Sequence, residues 1–132
     1  MGAVTASSTV GQRVTWLNRA DISTVDRSQD LTVTWSGGPA NGYALISGGS
    51  TRQSGTTRYE GLFYCLAPLA PGQFTIPSFV LMALPITSVT STGPIGALEV
   101  GSLTGTVIPP PPGIDLATTV YMEITQSPVT YK

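Results

Sequence analysis

Glycine and proline constrain this chain more than any other feature. Fifteen glycines and eleven prolines interrupt the 132 residues at intervals of roughly 8 to 12 positions, the spacing of turn signals in an all-β sandwich or barrel. Between the breaks, apolar residues recur with period two. In LTVTW, 31 to 35, Leu31, Val33 and Trp35 share one face while Thr32 and Thr34 take the other. That pattern requires one buried and one wet side. SGGPANG, 36 to 42, ends the strand, with glycine supplying the positive φ that a Cβ would forbid.

The same reading predicts further strands. RVTWLN, 13 to 18, places Val14 and Trp16 together. YALISGGS, 43 to 50, is apolar on both faces, so its inward side stays open. STRQSGTTR, 50 to 58, reads as a polar loop. GLFYCLA, 61 to 67, and GQFTIP, 72 to 77, follow. ALEVG, 97 to 101, turns Leu98 and Val100 in and Glu99 out. A weaker strand is expected at 105 to 108. TVYMEIT, 119 to 125, turns Val120, Met122 and Ile124 in and Tyr121 and Glu123 out. About seven to nine strands result, consistent with two packed antiparallel sheets.

PSFVLMALP, 77 to 85, departs from this pattern, since it is rich in helix formers between two prolines. It is expected to form a short helical turn near 77–84 that crosses between the sheets, started by Pro77 and stopped by Pro85. PPPP, 109 to 112, predicts a polyproline II connection. A single domain is expected over 13–132, after a flexible segment over 1–12. Met1-Gly2 leads directly into polar VTASSTVGQ with no signal peptide. Met1 then reads as an added start, which leaves room for a natural leader or upstream domain.

The order of VTWLNRADISTVDRS, LTVTWSGGPANGYALISGGS, FYCLAP, GQFTIPSFVLMALP and GALEVGS resembles an immunoglobulin-like domain. That domain recurs at the C-terminal ends of long secreted proteins of the Acidobacteria type. The resemblance covers roughly positions 14 to 131, and its most specific parts are LTVTWSGG and FTIPSFVLMALP. It implies an immunoglobulin-like fold and an extracellular or cell-surface address. It implies no activity and brings no functional residues.

Composition narrows the function. Charged residues are 10% of the chain and the net charge is −1, where ordinary soluble domains carry about 25% charged residues. Arg13, Arg19, Arg27, Arg52 and Arg58 are scattered, so no cluster suits nucleic acid or an anionic membrane surface. The longest apolar run, Phe79 to Leu84, is too short to span a bilayer. Low charge with abundant Ser and Thr favours a secreted or cell-surface protein.

Histidine is absent and the sole lysine is Lys132. Ser-His-Asp, Cys-His and Ser-Lys catalysis therefore lack their bases, and a Lys-Asn isopeptide crosslink lacks its lysine. One cysteine cannot build a zinc site. Cys65 lies among Leu62, Phe63, Tyr64, Leu66 and Ala67, surroundings that raise a thiol pKa. It is expected to be a small buried hydrophobe on the face of Phe63 and Ala67. Asp21, Asp26 and Asp30 match no calcium-loop spacing, and capping turns or pairing with Arg19 and Arg27 explains them as well. No two carboxylates among Asp21, Asp26, Asp30, Glu60, Glu99, Asp115 and Glu123 stand out as a glycosidase pair. GGPANG and SGGS separate strands, whereas a phosphate loop opens a helix. No cofactor is expected.

Surface function is expected instead. If Phe63 and Cys65 face the core, Leu62, Tyr64 and Leu66 form an outward apolar stripe, an interaction site unless another segment covers it. Tyr121 is expected to join that surface. The expected role is a non-catalytic structural module that docks on a neighbouring domain, on a partner protein or on copies of itself. The alternative is a carbohydrate-binding sandwich, which needs coplanar exposed rings. Trp16 and Trp35 are expected in the core, leaving the tyrosines for such a site.

Overall fold

The computed structural model describes residues 12–108, 113 and 115–132. The expected flexible segment 1–12, apart from Gln12, and the expected polyproline stretch 109–112 lie outside the described residues.

The fold is all-β. β1 (Val14–Trp16), β3 (Leu31–Gly37) and β6 (Gln73–Ile76) form a three-stranded antiparallel sheet in the order β1-β3-β6. β4 (Tyr43–Ser54), β5 (Thr57–Pro68), β9 (Gly96–Ile108) and β10 (Ala117–Pro128) form a four-stranded antiparallel sheet in the order β10-β9-β4-β5. Two minor pairs complete the set: β2 (Thr24–Val25) runs parallel to β11 (Thr130–Tyr131), and β7 (Val89–Thr90) pairs antiparallel with β8 (Gly93–Pro94). The chain changes sheet between β3 and β4, between β5 and β6, and between β6 and β9. These crossings give the two layers of a β-sandwich a Greek-key wiring. The described residues contain eleven strands, more than the seven to nine expected, because the two-residue strands carry too little pattern to read.

Both tryptophans pack inside, as expected. Trp16 and Trp35 are cross-strand partners at the β1–β3 pairing. The Trp35 ring nitrogen donates to the Leu69 carbonyl at 3.0 Å and that of Trp16 to Asn18 Oδ1 at 3.0 Å, so neither indole is buried with an unmet donor. From the four-stranded sheet, Ala44 and Ile46 of β4, Phe63 and Ala67 of β5, and Leu98 and Val100 of β9 meet Val33 and Ile76 of the other layer. This settles the inward side of β4 as Ala44/Ile46 and leaves Tyr43 and Leu45 on the outside.

The segment expected to cross between sheets does so. α1 (Ser78–Met82) follows Pro77 and inserts Leu81 into the core. Asp30 Oδ1 accepts the Ser78 amide at 2.7 Å, meeting one donor at the helix start. Arg27 donates to the Leu84 carbonyl just past its end at 2.6 Å. Downstream, Ser50 Oγ lies 2.8 Å from the Pro85 carbonyl and 2.7 Å from Thr87 Oγ1, while the Tyr131 amide donates to Thr87 Oγ1 at 2.9 Å. These buried hydroxyls tie the crossing to β4 and to the last strand.

Three expectations are corrected. The stretch 50–58 is not a loop, because β4 and β5 continue into a hairpin closed by the two residues Gly55 and Thr56. Gly55 has φ 59° at the first turn position, which suits a type II′ turn. Polar composition hid the hairpin because its strands run past the core, where neither face has to be apolar. The strand expected at 105 to 108 is the far end of β9, which continues unbroken from Gly96.

The third correction concerns β10. Val120, Met122 and Ile124 point outward and are exposed, whereas Tyr121 and Glu123 lie on the inner side and are half-buried. The register causes this. Glu123 pairs with Ser102 and Thr125 with Val100, both inner positions of β9, while Ile124 pairs with Gly101. Alternation identified the two faces correctly, but the apolar one is not the core face. β10 is the edge of the wider sheet, and its inner side carries polar groups, among them Glu123, whose Oε1 lies 3.5 Å from Arg13 Nε.

Candidate functional site

The outer face of the four-stranded sheet is the candidate site. β5 presents Leu62, Tyr64 and Leu66 there, 70%, 70% and 57% exposed. Their alternates Phe63 and Ala67 are buried, so the outward stripe expected from the sequence is present and open. Tyr121 is not part of it, since it sits on the opposite side of β10 from Met122.

Cross-strand registers arrange this face in rows. Leu62, Gly49, Ala97 and Pro128 form one row; Tyr64, Ser47, Glu99 and Gln126 form the next. Leu66, Leu45, Gly101 and Ile124 come third, then Pro68, Tyr43, Leu103 and Met122. At the Leu62 end the middle strands carry the small residues Gly49, Ser47 and Ala97, so a shallow trough opens beside Leu62 and Tyr64. That trough includes a hollow of about 410 Å³ lined in part by Gly49, Leu62, Ile95 and Ala97, and a neighbouring one of about 230 Å³ reaching Tyr64, Glu99 and Gln126.

Two glycines are fixed by close approach. A Cβ on Gly101 would run into the Glu123 carbonyl of β10, and one on Gly48 would strike both the Phe63 ring and the Tyr131 hydroxyl. Tyr131 is fully buried, donates to the Ala97 carbonyl at 2.8 Å, and is held well above the usual tyrosine range by burial, with the Glu99 charge adding to the effect. Across the sheet, Glu99 accepts a 2.6 Å hydrogen bond from Ser47 Oγ.

Cys65 lies on the inner side, opposite Ile46, and packs against the core while remaining half-buried at the sheet edge. Burial pushes its thiol pKa up, the direction opposite to an activated nucleophile. The aspartates have structural partners. Asp26 accepts the Ser28 amide at 2.9 Å and the Ser28 hydroxyl at 2.7 Å, which holds its carboxyl below the usual range. Asp30 meets the start of α1. The expected Arg19 and Arg27 partnerships take another form, since Arg19 donates to the Gln126 carbonyl at 2.6 Å and Arg27 to that of Leu84. Among the described residues, no three His, Cys, Asp or Glu side chains come together to hold a metal ion. No helix of the described residues is long and apolar enough to cross a membrane.

Of the tyrosines, Tyr43 and Tyr64 share the outer face but stand about 14 Å apart along the strands, at ~3.4 Å per residue over the four positions from Tyr43 to Ser47. Tyr59 belongs to the opposite face of β5, beyond the core. No protein-family model, curated protein or solved structure matches this chain.

Proposed function

We propose that this domain is a non-catalytic interaction module of an exported protein, and that it docks through the outer face of its four-stranded sheet. The observation that carries the reading is the open stripe of Leu62, Tyr64 and Leu66 on β5, joined across Leu45, Tyr43 and Leu103 to Met122 and Ile124 on β10. A contiguous apolar surface of this extent on a folded domain usually marks a docking site. The extracellular address is supported by the low charge and by the resemblance to domains of secreted proteins.

A second reading, a glycan site, is favoured by one specific feature. The hollow beside Tyr64 brings an exposed ring together with the Glu99 carboxylate and the Gln126 amide, the combination of stacking surface and hydrogen-bonding groups that a sugar requires. A glycan array probed with wild type and Tyr64→Ala tests it.

The main reading is tested by binding of an anilinonaphthalene dye to dilute wild type and to the triple variant Leu62→Thr, Tyr64→Thr, Leu66→Thr. Wild type is expected to bind the dye, and the variant to lose that binding while keeping its β circular dichroism and gaining solubility. Equal dye binding by both would remove the stripe as a docking surface.

A further inference from the structure

We infer that the occupant of this face is a second copy of the same chain, packed sheet to sheet about a two-fold axis that runs along the strands. The inference rests on the docking reading above and names its partner.

Area supports it first. Leu62, Tyr64, Leu66, Tyr43, Val120, Met122 and Ile124 are between 38% and 70% exposed on one side of one sheet. With ~150–250 Å² for a large aromatic side chain and somewhat less for an aliphatic one, the face offers on the order of 700 Å² per copy, close to the ~800 Å² per partner of a stable interface.

Charge supports it second. From the Leu62 row to Val120, Glu99 is the sole charged residue, and it already accepts from Ser47; Glu60, next beyond Leu62 on the same face, is paired with Arg58. A face with so little charge meets an identical face without like-charge repulsion. It would offer a basic or acidic partner few complementary groups.

Shape supports it third. A two-fold axis along the strands brings β5 of one copy opposite β10 of the other and β4 opposite β9. Row by row, Leu66 then meets Ile124, Tyr43 meets Leu103, and Leu45 meets Gly101. A large side chain lies over a glycine in the third row, Tyr64 lies over Gln126 in the second, and Leu62 over Pro128 in the first. The contact is isologous and closes at two copies.

Sedimentation velocity of the full chain from roughly 1 to 200 µM, the range in which weak interfaces of this size associate, tests the inference. Wild type is expected to pass from monomer to dimer and to stop there. Tyr64→Glu and Met122→Glu, on opposite edges of the sheet, are each expected to weaken dimerisation at least about tenfold while the β circular dichroism stays unchanged. In a Cys65→Ala background, Leu66→Cys mixed with Ile124→Cys should form an intermolecular disulfide, and Leu66→Cys alone should form far less. A monomer across the whole range overturns the inference. If that monomer still binds dye at the stripe, the docking reading survives with a different partner; if it does not, both fail. Growth beyond two copies would mean a contact that does not close on itself and also overturns it.

Discussion

The Tyr131 hydroxyl donates to the Ala97 carbonyl at 2.8 Å, and there is room for it only because residue 48 has no side chain. This last tyrosine thereby joins the closing strand to the middle of the four-stranded sheet, directly behind the candidate docking face. It also exposes the domain to one pH effect.

Tyr131 is held above its ordinary pKa by burial and by Glu99, so its neutral form is favoured in the folded state. A group raised on folding contributes stability that is complete below its unfolded value, about 10 for tyrosine, and is lost as pH rises above that value towards the folded one. Urea midpoints should therefore fall steeply above about pH 10. Tyr131→Phe should flatten that slope at a cost of about 1 kcal/mol at neutral pH, the worth of one hydrogen bond.

Gly48→Ala tests the same contact from the opposite side. The added methyl meets the Phe63 ring and the Tyr131 hydroxyl at once. Overpacking of this kind costs about 1–3 kcal/mol, read as a lower urea midpoint with unchanged slope. Gly49→Ala, whose Cβ would meet only the flexible Leu62 end at 2.7 Å, should cost less.

The α1 crossing depends on two side chains from the polar segment between β2 and β3. Asp30→Ala removes the acceptor for the Ser78 amide and should cost about 0.5–2 kcal/mol, as other helix-start acceptors do. Arg27→Ala removes the donor to Leu84 and should cost about 1.5–3 kcal/mol, the range for a charged hydrogen bond. Thermal unfolding of each single variant checks both. Calcium added to wild type should leave the midpoint unchanged, because among the described residues Asp21, Asp26 and Asp30 do not come together as a ligand set.

The sequence was most informative where a strand has one wet face. Val33 with Trp35, Val14 with Trp16, and Leu98 with Val100 all point where period two places them, because the polar alternates can only face water. Pro77 and Pro85 likewise bracket the helical crossing, since proline acts through its own backbone and needs no tertiary context. On β10 the same logic failed. Val120, Met122 and Ile124 look like a core stripe, and nothing local tells an apolar stripe that faces the other layer from one that faces out on an edge strand whose inner side is polar. The β4–β5 hairpin was hidden for the converse reason, that strands beyond the core need no apolar residues. As for the site, β5 could be read because Phe63 and Cys65 fixed the inner side. Tyr121 was misplaced together with its strand, and the trough could not be foreseen, because Gly49 and Ala97 become neighbours only through the β4–β9 register.

The most direct measurement is urea unfolding, at concentrations too low for association, of Leu62→Thr, Tyr64→Thr, Leu66→Thr beside that of Ile46→Ala. Each outer-face change should stay within about 0.5 kcal/mol of neutral, so the triple variant should unfold close to wild type. Ile46→Ala, at the same level of the sheet but facing inward, should lose about 2–5 kcal/mol. A triple variant destabilised as much as Ile46→Ala would mean that the outer stripe is part of the core, and would contradict the account of this face as a docking surface.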